Sequence, residues 1–169
     1  MRNLLSTKDQ RQLRLMETLI QNRNWMKLHE LAEKLGCTER ILKSDLNELR
    51  AAFPTIDIQS SINGIMIDLE VNTSVEDVYQ YFLAHSQSFQ LLEYLFFNEG
   101  LPIYRTIENL HSSNANLYRL GRNITKILSS QFQIELSFTP SEIRGNEIDI
   151  RYFFAQYFSE RYYFLDWPF

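Results

Sequence analysis

The chain has 169 residues, 44 % hydrophobic and 22 % charged, which is the balance of a globular protein long enough for one large domain or two small ones. Its single cysteine, Cys37, excludes an internal disulfide framework, and no uncharged apolar run reaches the roughly 18 residues a membrane span needs. The net charge of −4 argues against nucleic acid only until it is mapped: residues 1–50 carry 10 Lys/Arg against 7 Asp/Glu, residues 51–99 carry 7 Asp/Glu and no Lys/Arg, residues 100–131 carry 4 against 1, and residues 132–169 carry 3 against 6.

Scarce glycine (5) and proline (4) favour a mainly helical chain. Ser6-Thr7 are good caps for a first helix to about Asn22, with Leu13, Met16, Leu19 and Ile20 on one face. A second helix is predicted over about Met26–Leu35, with Leu28, Leu31, Ala32 and Leu35 inward. Gly36 follows it, where a left-handed cap belongs. Thr38 caps a third helix to about Ala52, stopped by Phe53-Pro54. Leu42, Leu46, Leu49 and Phe53 form its buried stripe. Alternation of Ile56, Ile58, Ile65, Ile67 and Leu69 with polar residues, around an Asn63-Gly64 turn, predicts a β-hairpin. Three helices and a hairpin are the layout of a winged helix.

Thr73 and Glu76 form a predicted capping box for a new helix. A helical pair follows at about 75–84 and 87–98, then a Gly100-Leu101-Pro102 turn and a short helix over 103–111. After Ser112-Ser113, a longer helix covers Asn114 to about Ser130, with Leu117, Leu120, Ile124 and Leu128 inside. Gly121 is unfavourable in mid-helix and is read as a close approach to another helix. QIELSF and SEIR read as two strands around Thr139-Pro140, and a last helix spans about 146–165. The order helix, short helix, break, longer helix, hairpin thus occurs twice. An offset of 75 sets Thr38 on Ser113, Leu35 on Leu110, Leu42 on Leu117, Leu49 on Ile124 and Phe53 on Leu128. The expected fold class is mainly α with short β-hairpins (α+β): two tandem winged helix-turn-helix domains, 1–71 and 72–169.

A helix that enters the major groove needs a tight turn before it, a cap, an apolar inner face and long polar side chains outside. Residues 31–50 meet these needs, with Arg40, Lys43, Ser44, Asn47 and Arg50 outside and Glu39 and Glu48 flanking them. The second candidate helix offers Asn116, Arg119, Arg122, Asn123 and Lys126; Arg119, Arg122 and Lys126 share a face at i, i+3, i+7. Lys and Arg suit phosphates, and Asn and Arg suit base edges. Such a face is also what a solvated surface helix carries, and winged helices also serve as protein-interaction or oligomerisation modules without touching DNA. RNA is disfavoured, because its deep, narrow major groove does not admit a helix. No catalytic group is expected. His29, His85 and His111 stand far apart without ligand spacing for a metal, Cys37 reads as a small packing residue, and no cofactor-binding glycine loop is present. The start MRNLLSTKDQRQLR has no apolar run for a signal peptide, which fits a cytoplasmic protein. Residues 145–169 hold 10 of the 23 aromatic residues, around more than one helical face. Part of that surface, with Tyr162, Tyr163, Phe164, Trp167 and Phe169, is expected to need a cover, by self-association or by a further C-terminal domain, the alternative being that the tail folds back on the core of its own small domain.

LAEKLGCTERILKSDLNELR resembles the first helix-turn-helix of the Mga/AtxA-type virulence regulators of Gram-positive bacteria. SNANLYRLGRNITKIL with EIRGNEIDIRYFFAQYFSERYYFLDWPF resembles their second, Mga-type helix-turn-helix and the helix leading out of it. The resemblance implies a transcriptional regulator whose two N-terminal winged helices bind promoter duplex DNA. In longer members it implies later sugar-transport-regulation and phosphotransferase-like domains that carry phosphorylatable histidines and drive dimerisation. His29, His85 and His111 fall outside those domains. The chain is then expected to be the DNA-binding part or a short member.

Overall fold

The computed structural model describes residues 1–68, 74–163 and 167–169. The chain divides into two compact units, Thr7–Tyr79 and a second made of Met1–Ser6 with Gln80–Phe169. The first unit contains α1 (Thr7–Asn22), α2 (Leu28–Lys34), α3 (Glu39–Ala52), β1 (Asp57–Ser61) and β2 (Gly64–Asp68). The apolar stripes close on one another as their spacing requires. Leu13, Met16 and Leu19 of α1, Leu31 of α2, and Leu42, Leu46 and Leu49 of α3 are almost fully buried. Phe53, expected at the end of the α3 stripe, is only half-buried, because the helix stops there and its backbone leaves the helical region.

The α2–α3 turn is a Schellman motif. Gly36 is left-handed (φ +63°), its N–H bonds the Glu33 carbonyl at 3.1 Å, and the Cys37 N–H reaches Ala32 at 2.9 Å. Thr38 then accepts a bond from the Ile41 N–H, the cap that starts α3. The hairpin differs in one respect from the sequence reading. Ser61 pairs with Gly64, so the turn residues are Ile62-Asn63 rather than Asn63-Gly64. Gly64 is required for a different reason. It stands at φ +124°, and a Cβ there would fall 2.0 Å from the Met26 carbonyl oxygen. That approach lets Met26 pair with Ile65 in both directions, at 2.9 and 2.8 Å.

In the second unit, α5 (Gln87–Phe97), α6 (Ile103–Asn109), α7 (Asn114–Phe132), β3 (Glu135–Phe138) and β4 (Ser141–Arg144) repeat the plan, and α8 (Glu147–Arg161) follows. The division between units falls inside α4 (Val75–His85). Thr73 of the expected capping box, Leu69 of the expected hairpin and Phe164 of the expected aromatic surface lie outside the described residues. The box that is seen joins Ser74 and Asp77: Asp77 Oδ2 accepts from the Ser74 N–H at 2.8 Å, and Ser74 Oγ from the Asp77 N–H at 3.2 Å. The α6–α7 turn is again a Schellman motif, with His111 (φ +46°) in the place of Gly36. Its N–H bonds Glu108 at 3.3 Å and the Ser112 N–H bonds Ile107 at 3.1 Å. Ser113 caps α7 as Thr38 caps α3. Leu120, expected inside α7, is half-buried.

Gly121 packs against the wing rather than against another helix: a Cβ there would lie 2.4 Å from the ring of Phe138 on β3. At the offset of 75, Gly121 corresponds to Leu46, which is buried in the first unit. The N-terminal residues also belong to this core, with Leu4 buried and the Met1 amino group 3.4 Å from Glu160. On α8, Phe153, Phe154, Tyr157 and Phe158 are buried, while Ile148 and Tyr152 stay exposed. Tyr157 stacks on Phe89 at 5.1 Å, and its single hydroxyl proton lies between two acceptors, the Phe89 carbonyl at 2.8 Å and Glu93 Oε2 at 3.0 Å. Tyr162 donates to the other Glu93 oxygen at 2.6 Å.

Candidate nucleic-acid interface

α3 divides its side chains cleanly. Leu42, Asp45, Leu46 and Leu49 face inward. Arg40, Lys43, Ser44 and Asn47 are exposed. Asp45 was not anticipated as a buried group, although its i+3 spacing from Leu42 puts it on the stripe. It is 1 % exposed and takes bonds from Arg11 (Nε to Oδ2, 2.6 Å; Nη2 to Oδ1, 3.1 Å) and from Gln12 (3.0 Å). Glu48, expected to temper the cationic face, is engaged toward α1 by Lys8 and by Gln12 at 3.0 Å. Hydrogen bonds from Lys8 and then Gln12 hold its carboxyl below the usual range. Both carboxylates therefore brace α3 on α1.

Arg50 is half-buried and points to the wing. Its Nε donates to the Ile58 carbonyl at 3.0 Å, one Nη donates to Asn47 Oδ1 at 3.4 Å and the other to Ser60 Oγ. It fastens the helix to β1. Lys43, Asn47, Arg50, Ser60 and Ser61 line a cleft of about 220 Å³ between α3 and the hairpin, together with Leu28, Leu46, Gly64 and Ile65.

On α7 the expected residues separate in the same way. Arg119, Arg122, Asn123 and Lys126 are exposed. Asn116 is half-buried and turned to the helix start, where its amide donates to Ser112 Oγ at 2.9 Å and its carbonyl oxygen accepts from Arg119 at 2.7 Å. The residue missed was Thr125. Its hydroxyl accepts from the Leu136 N–H of β3 at 3.0 Å. At the offset of 75, Thr125 is the counterpart of Arg50, so both units tie the longer helix to the first wing strand at the same helical position. Tyr118, the counterpart of Lys43, is exposed with its ring edge-on to Phe138 at 5.2 Å.

Burial raises the Cys37 thiol above its ordinary value, so it is not an activated thiolate. Among the described residues no group of three or more His, Cys, Asp or Glu is placed to hold a metal ion, and no helix is long and apolar enough to cross a membrane.

Two family models match the chain, one over each helix-turn-helix. Residues 6–65 match the M protein trans-acting positive regulator (MGA) HTH domain, and residues 71–158 match the Mga helix-turn-helix domain. A protein of Streptococcus pneumoniae serotype 4 described as a trans-acting regulator is 50 % identical over all 169 residues. The capsule synthesis positive regulator AcpA of Bacillus anthracis is 27 % identical over 165 residues, 94 % of this chain. The chain spans about one third of the length of these curated relatives, 34 % and 33 %. With a capped longer helix, a Schellman turn and a tied hairpin in each unit, and a family match across each, the chain belongs to the Mga family of transcriptional regulators and carries its two helix-turn-helix domains.

Proposed function

We propose that the chain binds promoter duplex DNA through α3 and α7, each set into a major groove, in the cytoplasm. The observation that carries this reading is that each unit builds the same turn, cap and tied wing. Each leaves an exposed face of cations and amides: Arg40, Lys43, Ser44 and Asn47 on α3, and Arg119, Arg122, Asn123 and Lys126 on α7. Lys43 supplies a phosphate contact and Asn47 a base-edge contact. Arg50 and Asn116 act by holding the reading helices in place. The proposed boundary between the two domains, at residues 71–72, is supported by one family match that ends at residue 65 and another that begins at residue 71.

Lys43→Ala is expected to weaken binding to every duplex and to lower the slope of log affinity against log salt by about 1. Asn47→Ala is expected to cost about 1–3 kcal/mol on selected sites and little on others. Fluorescence anisotropy with selected and mixed-sequence duplexes measures both. If both variants bind as the parent does, α3 is not a reader.

A second contact is favoured by the aromatic surface, where Tyr163, Trp167 and Phe169 are 62 %, 52 % and 73 % exposed. That surface suits self-association or a further regulatory domain. Trp167→Ser with Phe169→Ser is expected to reduce association in sedimentation velocity without loss of helix content. An unchanged sedimentation profile would remove this role.

A further inference from the structure

The second unit contains a cavity of about 480 Å³ on the side of α5, the end of α6 and the end of α8. None of Arg119, Arg122, Asn123 or Lys126 of α7 lines it. Its size lies in the range that holds a small molecule. Its wall carries one carboxylate and one guanidinium side by side. Glu93 Oε2 and Arg161 Nε stand 3.9 Å apart, too far for a hydrogen bond, and the two side chains are 25 % and 17 % exposed. Both are held in place. The hydroxyls of Tyr162 and Tyr157 lie 2.6 and 3.0 Å from the two Glu93 oxygens, and the Arg161 guanidinium lies over the Tyr162 ring at 4.7 Å. Both keep capacity for a ligand, because a carboxylate accepts about four hydrogen bonds and a guanidinium donates about five. The rest of the wall is divided. Tyr94 and Phe97, at i and i+3 on α5, make an apolar side with Leu110. Asn98 and Asn109 add amides. The Asn98 amide donates to the Tyr94 carbonyl at 2.9 Å, which leaves its own oxygen as an acceptor.

We propose that this cavity binds a free α-amino acid with a large apolar side chain. The ligand's ammonium meets Glu93, its carboxylate meets Arg161, and its side chain lies against Tyr94, Phe97 and Leu110. An α-amino acid carries its two opposite charges on neighbouring atoms of one small frame, so a fixed carboxylate beside a fixed guanidinium matches both at once. A simple amine leaves Arg161 unmatched, and a simple carboxylate meets the like charge of Glu93. Charge-assisted hydrogen bonds of this kind are stronger than neutral ones. Phe97 and Arg161 are the last residues of α5 and α8, so the negative ends of both helix dipoles lie at the cavity and favour the ammonium. The site is independent of DNA contact, and its failure would leave the reading of α3 and α7 untouched.

The test is titration calorimetry on the full chain with L-phenylalanine and two blocked analogues. L-Phenylalaninamide lacks the carboxylate, and N-acetyl-L-phenylalanine lacks the ammonium. L-Phenylalanine is expected to bind with a Kd below about 1 mM, and each analogue at least about tenfold more weakly. Arg161→Gln should remove the preference for L-phenylalanine over its amide, because nothing then meets the carboxylate. Asn109→Trp, at an exposed position, should fill the cavity and abolish binding while melting as the parent does. No heat from L-phenylalanine at about 10 mM overturns the site. So does equal binding of all three compounds, which would leave only an apolar surface. A preference that survives Arg161→Gln, or binding undiminished in Asn109→Trp, places the ligand elsewhere and overturns it as well.

Discussion

At the scale of single residues, the two turns show how one geometry is met by different side chains. Gly36 takes the left-handed position without strain, whereas His111 takes it at φ +46° with a Cβ. His111→Gly is expected to stabilise the second unit by about 1 kcal/mol in thermal or urea unfolding. A neutral or destabilising result would mean that the imidazole makes a compensating contact. The paired hydroxyls at Glu93 make a second residue-scale case. Burial first and the Glu93 carboxylate second push the Tyr162 hydroxyl up to about 12, and burial likewise raises Tyr157. An unfolded tyrosine loses its proton near pH 10. Above that pH the unfolded chain gains from ionising while the folded one does not. Stability of this unit is therefore full below about pH 10 and falls as pH rises toward 12. Chemical unfolding across that range is expected to show the decline, smaller in Tyr162→Phe. A flat profile would place both hydroxyls in ordinary solvent.

Elements depend on contacts that sequence spacing only partly announces. The helices, both caps and both hairpins were legible because each has a local signature: an apolar period, Thr38 or Ser113 at a cap, alternation within a strand. What was not legible is what side chains do across elements. Asp45 sits on the apolar stripe, but only the fold brings Arg11 and Gln12 to it. Arg11→Ala leaves that carboxylate buried with Gln12 alone, and a loss of about 3 kcal/mol is expected in denaturant unfolding. A change under about 0.5 kcal/mol would mean that water replaces the guanidinium. Arg50 looked like a member of the outer face, and its spacing is right for that, but its guanidinium has closer acceptors on the wing. Thr125 carried no signal of its own until the repeat matched it to Arg50. Gly121 was read correctly as a close approach and assigned to the wrong partner, because the Phe138 ring comes from a strand that periodicity cannot place in space. Gly121→Ala is expected to destabilise the second unit by about 1–3 kcal/mol despite the better helix former, because the added methyl meets that ring. A stabilised variant would show that the ring swings aside freely.

At the scale of the whole molecule, the charge map and the repeat bear on function together. A net charge of −4 conceals two cationic stretches, and each contains one candidate reading helix. The turns, caps and wings are repeated, while the outward faces differ: Lys43 of α3 stands where α7 has Tyr118, and Asn47 where α7 has Arg122. Two similar frames with different faces are suited to two different stretches of one promoter. The measurement that tests this most directly is duplex binding by the parent, by Arg40→Glu/Lys43→Glu and by Arg119→Glu/Arg122→Glu, with anisotropy followed from about 50 to 200 mM salt. These positions are exposed and outside the wing ties, so the variants should fold as the parent does. Salt-sensitive binding by the parent, weakened by each double reversal and lost when the two are combined, is the expected result. Binding by the combined variant equal to that of the parent, or no binding by the parent at any salt, would contradict DNA contact through these two helices.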